Sequence, residues 1–152
     1  MKKIFLASVV WLAFAATSFA QNGSNYWERL DKTHPVTTVE SIVNATPSAP
    51  SAEGFRLSMV YDGQFRKLSS ENLELMQAIG MEKKDLKAYK YELLFKYNSQ
   101  EFWLPVQTDL IEQLQLELRK NEPVLLYTTV LQTPTQQDKA KKALLVEDFK
   151  VD

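Results

Sequence analysis

The chain contains no cysteine, a single histidine and only four glycines among its 152 residues. Without a thiol there is no disulfide framework, no thiolate zinc or iron–sulfur centre, no cysteine nucleophile and no S-linked lipid anchor. With His34 as the only histidine, a Ser-His-Asp triad has one place to be built, and no Gly-x-Ser-x-Gly elbow accompanies it. No Gly-x-Gly-x-x-Gly fingerprint, Walker loop or EF-hand loop is present. An excess of positive charge is missing too, with 18 Lys+Arg against 19 Asp+Glu. Such a chain lacks the long-range attraction to phosphate that non-specific nucleic-acid binding requires, so no nucleic-acid partner is expected.

What is present first is an export signal. Lys2 and Lys3 form a positive start, Ile4 to Ala16 is an uncharged apolar run, and Ser18-Phe19-Ala20 places small residues where signal peptidase reads them. The run is too short for the roughly 20 apolar residues that span a bilayer. Residues 1–20 are therefore expected to be a cleaved signal peptide, and no later segment is apolar enough to span. Cleavage removes two lysines and takes the formal charge from −1 to −3. Gln21, not cysteine, would lead the mature chain, which excludes a lipoprotein. The expected destination is the periplasm or the exterior.

Residues 21–54 read as an N-terminal segment and linker. Tyr26, Trp27 and Leu30 make an apolar patch. Thr37 and Glu40 fit a capping box ahead of Val39, Ile42 and Val43. Asn44 to Gly54, rich in Pro, Ser and Ala, reads as a linker. Residues 55–152 carry denser patterning. Asp62-Gly63 signals a hairpin turn between Phe55–Tyr61 and Gln64–Leu68. Ser69 or Ser70 caps a helix with Leu73, Met76 and Ile79 on one face, closed by Gly80.

A second hairpin turning at Asn98-Ser99 sets Tyr91 opposite Val106, Leu93 opposite Leu104, and Phe95 opposite Phe102. On its other side Leu94 faces Trp103, Lys96 faces Glu101 and Glu92 faces Pro105. This register collects six apolar residues on one face, and a slip of one residue would lose them. Thr108 and Asp109 start a further helix, with an Asp109–Glu112 capping box and a stripe of Leu110, Ile111, Leu114 and Leu118. Val124–Gln132 and Ala143–Val151 read as the last strands. A bulge at Glu147-Asp148 would turn Leu144, Val146, Phe149 and Val151 all inwards. The expected fold is α+β, in the order ββα-ββα-ββ.

For chemistry, His34 beside Pro35 reads as a solvated loop residue. Glu147 with Asp148, and Glu112 with Glu117, are poorly placed as glycosidase pairs. No catalytic, metal-binding or cofactor-binding residue is assigned, and no cofactor is expected. Lys139 to Lys142 reads as a solvated turn, or as a contact for an acidic envelope polymer or protein. Tyr89, Tyr91, Tyr97 and Trp103 crowd one hairpin. Leu94 and Trp103, with Lys96 and Glu101, form a candidate partner-binding patch, either open or covered by the Tyr26-Trp27-Leu30 segment.

Tyr89 to Val106, the helix from Asp109 to Lys120, and the strands Val124–Gln132 and Ala143–Val151 resemble strands two and three, the helix, and strands four and five of an OB barrel. Small exported bacterial proteins of OB type are similar also in their signal peptide, their lack of cysteine and a Thr-Thr-Val-Glu segment, here Thr37 to Glu40. The resemblance implies an OB-like β-barrel that binds without catalysis, and it carries no site residues over. The first hairpin and the helix from Ser70 to Ile79 depart from a minimal OB barrel. The expected function is therefore an exported binding protein of the bacterial envelope, its partner an envelope protein or glycan. The alternatives are an inhibitor or immunity protein against an envelope enzyme, and then a small carboxylate-dependent hydrolase.

Overall fold

The computed structural model describes residues 23–135 and 140–151. They fall into two compact units, one ending at Thr33 and the other beginning at His34. In the first, residues 23–33 form a helix, α1. The Tyr26 and Trp27 rings meet edge-on at 5.2 Å. The Thr33 hydroxyl donates back to the carbonyls of Arg29 and Leu30. No helix among the described residues is long and apolar enough to cross a membrane.

The second unit is α+β. After helix α2 (Val39–Asn44) come strand β1 (Ser51–Lys67), helix α3 (Ser70–Ala78), the single turn α4 (Lys83–Leu86), and strands β2 (Tyr89–Tyr97) and β3 (Gln100–Gln107). Helix α5 (Thr108–Glu117) then leads into β4 (Pro123–Thr133) and β5 (Lys141–Lys150). The strands close a barrel in the order β1-β2-β3-β5-β4, with β4 pairing back onto β1. All pairings are antiparallel except β3 with β5, which meet in parallel at Val106 and Val146.

The hairpin expected at Asp62-Gly63 is not there. Residues 51–67 are one strand, which pairs with β4 from Ser51 to Val60 and with β2 from Val60 to Lys67. The two halves hydrogen-bond to different neighbours, so they cannot pair with each other. The turn signal is spent on an irregularity instead: Tyr61 faces Phe95 while Phe65 faces Leu93, leaving Asp62, Gly63 and Gln64 to bend the strand. Gly63 at φ +90° supplies the left-handed conformation. The linker reading is shortened too, because Ser51 to Gly54 pair with Gln132 to Thr129.

The second hairpin follows the expected register at every predicted pair, from Tyr91 with Val106 to Tyr97 with Gln100. Asn98 and Ser99 both have positive φ, as a two-residue primed turn requires. The bulge at Glu147 also forms, since Tyr127 pairs with Asp148 and Thr128 with Val146. It sends Leu144, Val146 and Phe149 into the core, whereas Val151 stays exposed.

That core joins Leu57, Met59 and Tyr61 of β1 to Leu93 and Phe95, Leu104 and Val106, and Leu126 and Val130 of the following strands. Val39 and Ile42 of α2 and Leu114 of α5, followed by Leu118, complete it. A second cluster lies on the opposite phase of β5, where Ala143 and Leu145 pack with Leu75, Met76, Tyr89 and Leu131.

The helices differ from expectation in detail. Thr38, not Thr37, caps α2 by accepting from the Ser41 amide. This frees Glu40 to accept from the Tyr97 hydroxyl at 2.6 Å and the Asn98 amide at 2.8 Å, tying α2 to the hairpin turn. Val36 and Val43 are exposed. Ser69 caps α3 and Gly80 closes it at φ +89°. Its buried pair is Leu75 and Met76, with Leu73 left at the surface. The Asp109–Glu112 capping box does not form: Gln107 is the N-cap without a side-chain bond, and the Thr108 hydroxyl donates to Ala88 O.

Phe95 is fully buried and Leu116 is 79% exposed. Replacing Phe95 by Ala is expected to cost about 3–5 kcal/mol, whereas Leu116→Ala should stay within roughly 0.5 kcal/mol of wild type. Urea unfolding midpoints of the two variants check this contrast.

Candidate functional site

The alternation of β2 and β3 puts Glu92, Leu94 and Lys96 on the side of the sheet away from Leu93 and Phe95, opposite Pro105, Trp103 and Glu101. The four residues of the predicted patch are therefore brought together, yet their roles differ from expectation. Leu94 is only 1% exposed, so it offers no surface to a partner. Trp103 is half-buried, and the guanidinium carbon of Arg66 lies 4.4 Å from its ring centroid. That spacing is a cation–π contact. Arg66 reaches it because β1, past its bend, pairs with β2 at Glu92.

Lys96 faces Glu101 in register, but its ammonium is bound by Asp62 at 2.6 Å. The bend in β1 takes the Asp62 carboxylate out of the regular pleat and buries it. Gln64 donates to its other oxygen at 2.8 Å, and Lys120 stands 3.8 Å away. The Lys96 contact, then the Gln64 bond, holds the Asp62 carboxyl below the ordinary carboxylate range. The same contact raises the Lys96 ammonium above the usual lysine value. Glu101 remains exposed beside it.

Glu92 is the most enclosed charge of this face, with no exposed side-chain surface. Arg66 Nε donates to one oxygen at 2.7 Å. The Ser69 amide at 2.9 Å, the Ser69 hydroxyl at 2.6 Å and Asn72 Nδ2 at 2.7 Å donate to the other. Burial works against ionisation, but these donors outweigh it and leave the carboxyl below its ordinary value. Glu92 thereby fastens the N-terminus of α3 to β2 and aims Arg66 at Trp103. Arg66 itself is about half exposed. The resulting surface presents an oriented guanidinium on an indole, flanked by an exposed carboxylate and a paired ammonium.

Sequence reasoning missed Arg66, Asp62 and Glu92. A glutamate in the middle of the apolar run Tyr91 to Phe95 is the signal that could have found one of them. His34 was also misread: it is 7% exposed, edge-on to Tyr127 at 5.8 Å, with Nε2 3.6 Å from Glu147. The β5 bulge turns Glu147 towards it. Of the basic loop, Lys139 lies outside the described residues. Lys142 donates to the carbonyls of Ile42, Val43 and Ala45, so it closes the C-terminus of α2 and is no solvated turn residue. A shallow cleft of about 280 Å³ lies among Phe65, Tyr91, Ile111 and the polar side of α5. Among the described residues, no group of three or more His, Asp or Glu is arranged to hold a metal ion.

Removing the Glu92 carboxylate leaves the part-buried Ser69 and Asn72 donors short of their partner, while the half-exposed Arg66 turns to solvent, and Glu92→Ala is expected to cost about 1–3 kcal/mol. The folded-state value of Glu92 lies below the ordinary 4.5. Its stabilisation is therefore complete above that value and is lost as pH falls through the folded one. Wild type should lose more stability than Glu92→Gln between pH 6 and pH 3, as read by urea midpoints at the two pH values. Comparison of the chain with protein-family models, with curated proteins and with solved structures finds no match.

Proposed function

We propose that this chain is an exported, non-catalytic binding barrel of OB type, working in a bacterial envelope through the face around Arg66 and Trp103. The observation that carries the OB reading is the strand order β1-β2-β3-β5-β4, with one helix, α5, between β3 and β4. The parallel contact of β3 with β5, and a long first strand shared between β2 and β4, support it as well. One departure seen in the sequence has also gone, because the supposed first hairpin is a single bent strand. The insertion of α3 and α4 between β1 and β2 remains. Resemblance to small exported bacterial OB-type proteins is proposed on the same footing.

The binding role follows from the chemistry of the face. A guanidinium held over an indole by a buried carboxylate is preorganised, and preorganisation lowers the entropy a contact must overcome. Lys96 and Glu101 give that face both signs of charge at its rim. An envelope glycan suits it, since sugar hydroxyls bond to charged side chains such as the Arg66 guanidinium and the Glu101 carboxylate. Export is read from residues 1–20, with the periplasm or the exterior as destination.

After expression in a bacterium, the purified protein is expected to begin at Gln21 by mass spectrometry, in the envelope or medium fraction. A Trp27→Phe variant makes Trp103 the only indole of that product. Its fluorescence should shift on titration with solubilised cell-wall glycan. Arg66→Ala should weaken the response about tenfold, as expected for loss of one charged contact. Binding by the Arg66→Ala protein as tight as by the unaltered one would remove this face from the function, and an intracellular product starting at Met1 would remove the export.

A further inference from the structure

A second cleft, of about 230 Å³, is lined by Met81, Asp85, Ala88, Tyr89, Gln107 and Glu147. It lies where α4, the start of β2, the end of β3 and the bulge of β5 converge. Tyr89 is its buried wall, at 5% exposure. Gln107 Nε2 donates to the phenol oxygen at 3.5 Å, and among the described residues no acceptor takes the phenol's own proton. Asp85 stands on α4, and Glu147 is turned into the cleft region by the bulge. Both carboxylates act on the phenol: burial first, then the negative charge of Glu147 and Asp85, pushes it up to about 12 against the opposing bond from Gln107. The phenol therefore stays protonated as a donor. Among the described residues, no lysine or arginine lines the space. His34 Nε2 lies 3.6 Å from Glu147 Oε2.

These groups demand two things of an occupant. The carboxylates call for a cationic donor and repel anions. The phenol calls for an acceptor oxygen within a few ångströms of that cation. A plain alkylammonium leaves the phenol proton unmet, and a plain amide leaves the carboxylates unmet. The volume is that of roughly seven or eight liquid waters, which suits a ligand of a few heavy atoms. We propose that this cleft binds a small primary ammonium bearing a neighbouring carbonyl or hydroxyl oxygen, in the manner of an aminoacyl amide or an amino alcohol. The site is independent of the Arg66–Trp103 face and stands or falls without it.

Glycinamide is the probe, titrated into the purified isotope-labelled protein and followed by backbone amide NMR. Acetamide (no ammonium), ethylammonium (no acceptor) and glycine (an added carboxylate) are the comparators. Glycinamide is expected to shift the amides of Tyr89, Gln107 and Glu147 saturably, and to bind at least about tenfold more tightly than each comparator. Glu147→Gln should weaken it about tenfold, and Tyr89→Phe should erase its advantage over ethylammonium. Trp103→Ala should leave it unchanged, which separates this site from the proposed binding face. The ranking of the four probes on unaltered protein decides the matter even where a variant unfolds. Equal binding of acetamide and glycinamide, or no saturable shift at millimolar probe, overturns the proposal.

Discussion

Closure of the barrel depends on one strand serving two neighbours. β1 is long enough to ladder with β4 over its first half and with β2 over its second, and the sheet has to turn between them. A flat strand of 17 residues would splay away from one partner. The bend at Asp62-Gly63-Gln64 resolves this by inserting residues that face no partner, with Gly63 in a conformation that an L side chain adopts only under strain. Bending exposes the backbone to loss of pairing, and Asp62 offsets that locally. Its carboxylate binds Lys96 on the neighbouring strand, so the corner is held to β2 by a short ion pair. Two backbone bonds, Tyr61 N to Glu122 O and Asn121 N to Tyr61 O, fasten the same corner to the turn before β4.

The buried charges follow from that geometry. Beyond the bend, β1 brings Arg66 beside Glu92, and the chain then turns directly into α3 with Ser69 at its cap. Glu92 is thus surrounded by an amide, a hydroxyl, a carboxamide and a guanidinium, all drawn from the seven residues Arg66 to Asn72. Enclosing a carboxylate costs far more than these bonds return unless every oxygen is occupied. Here both are, which makes Glu92 a specific fastening of α3 to the barrel, and not a general source of stability. The same enclosure fixes Arg66, and through it the one indole on the outer sheet. Structure and proposed binding face share one set of bonds.

The hairpin from Tyr89 to Gln107 was legible because its two faces make opposite demands. Only one register puts Leu93, Phe95, Phe102 and Leu104 together, and period-two alternation leaves no freedom once the turn is set. The bulge at Glu147 was legible for a related reason, since Leu144 and Val146 are out of phase with Phe149 and one extra residue repairs this. By contrast, Asp62-Gly63 looks the same in sequence whether it turns a hairpin or bends a strand. What decides is whether the flanking segments find each other or two other strands, and that is a long-range fact. His34 was opaque on the same ground: nothing near it in sequence foretells Tyr127 and Glu147. Leu94 was placed correctly in register, but whether it was open or covered was not legible, because alternation assigns a face and not what covers it.

Both acids at the two clearest irregularities, Asp62 and Glu147, end beside a basic side chain, Lys96 and His34. An extra residue in a ladder breaks the strict in-and-out alternation, so it can aim a polar side chain along the sheet and not merely away from it. In a regular strand, Glu147 would be committed either to the apolar core or to open solvent. The bulge gives it a third direction, towards His34 and the Tyr89 cleft, while Val146 and Phe149 stay inwards. The residue that corrects the phase of β5 for folding is therefore also the one left available for chemistry. A ladder repaired by an alanine in place of Glu147 would keep the core and lose the charge, so under the proposed reading of the Tyr89 cleft the carboxylate serves binding.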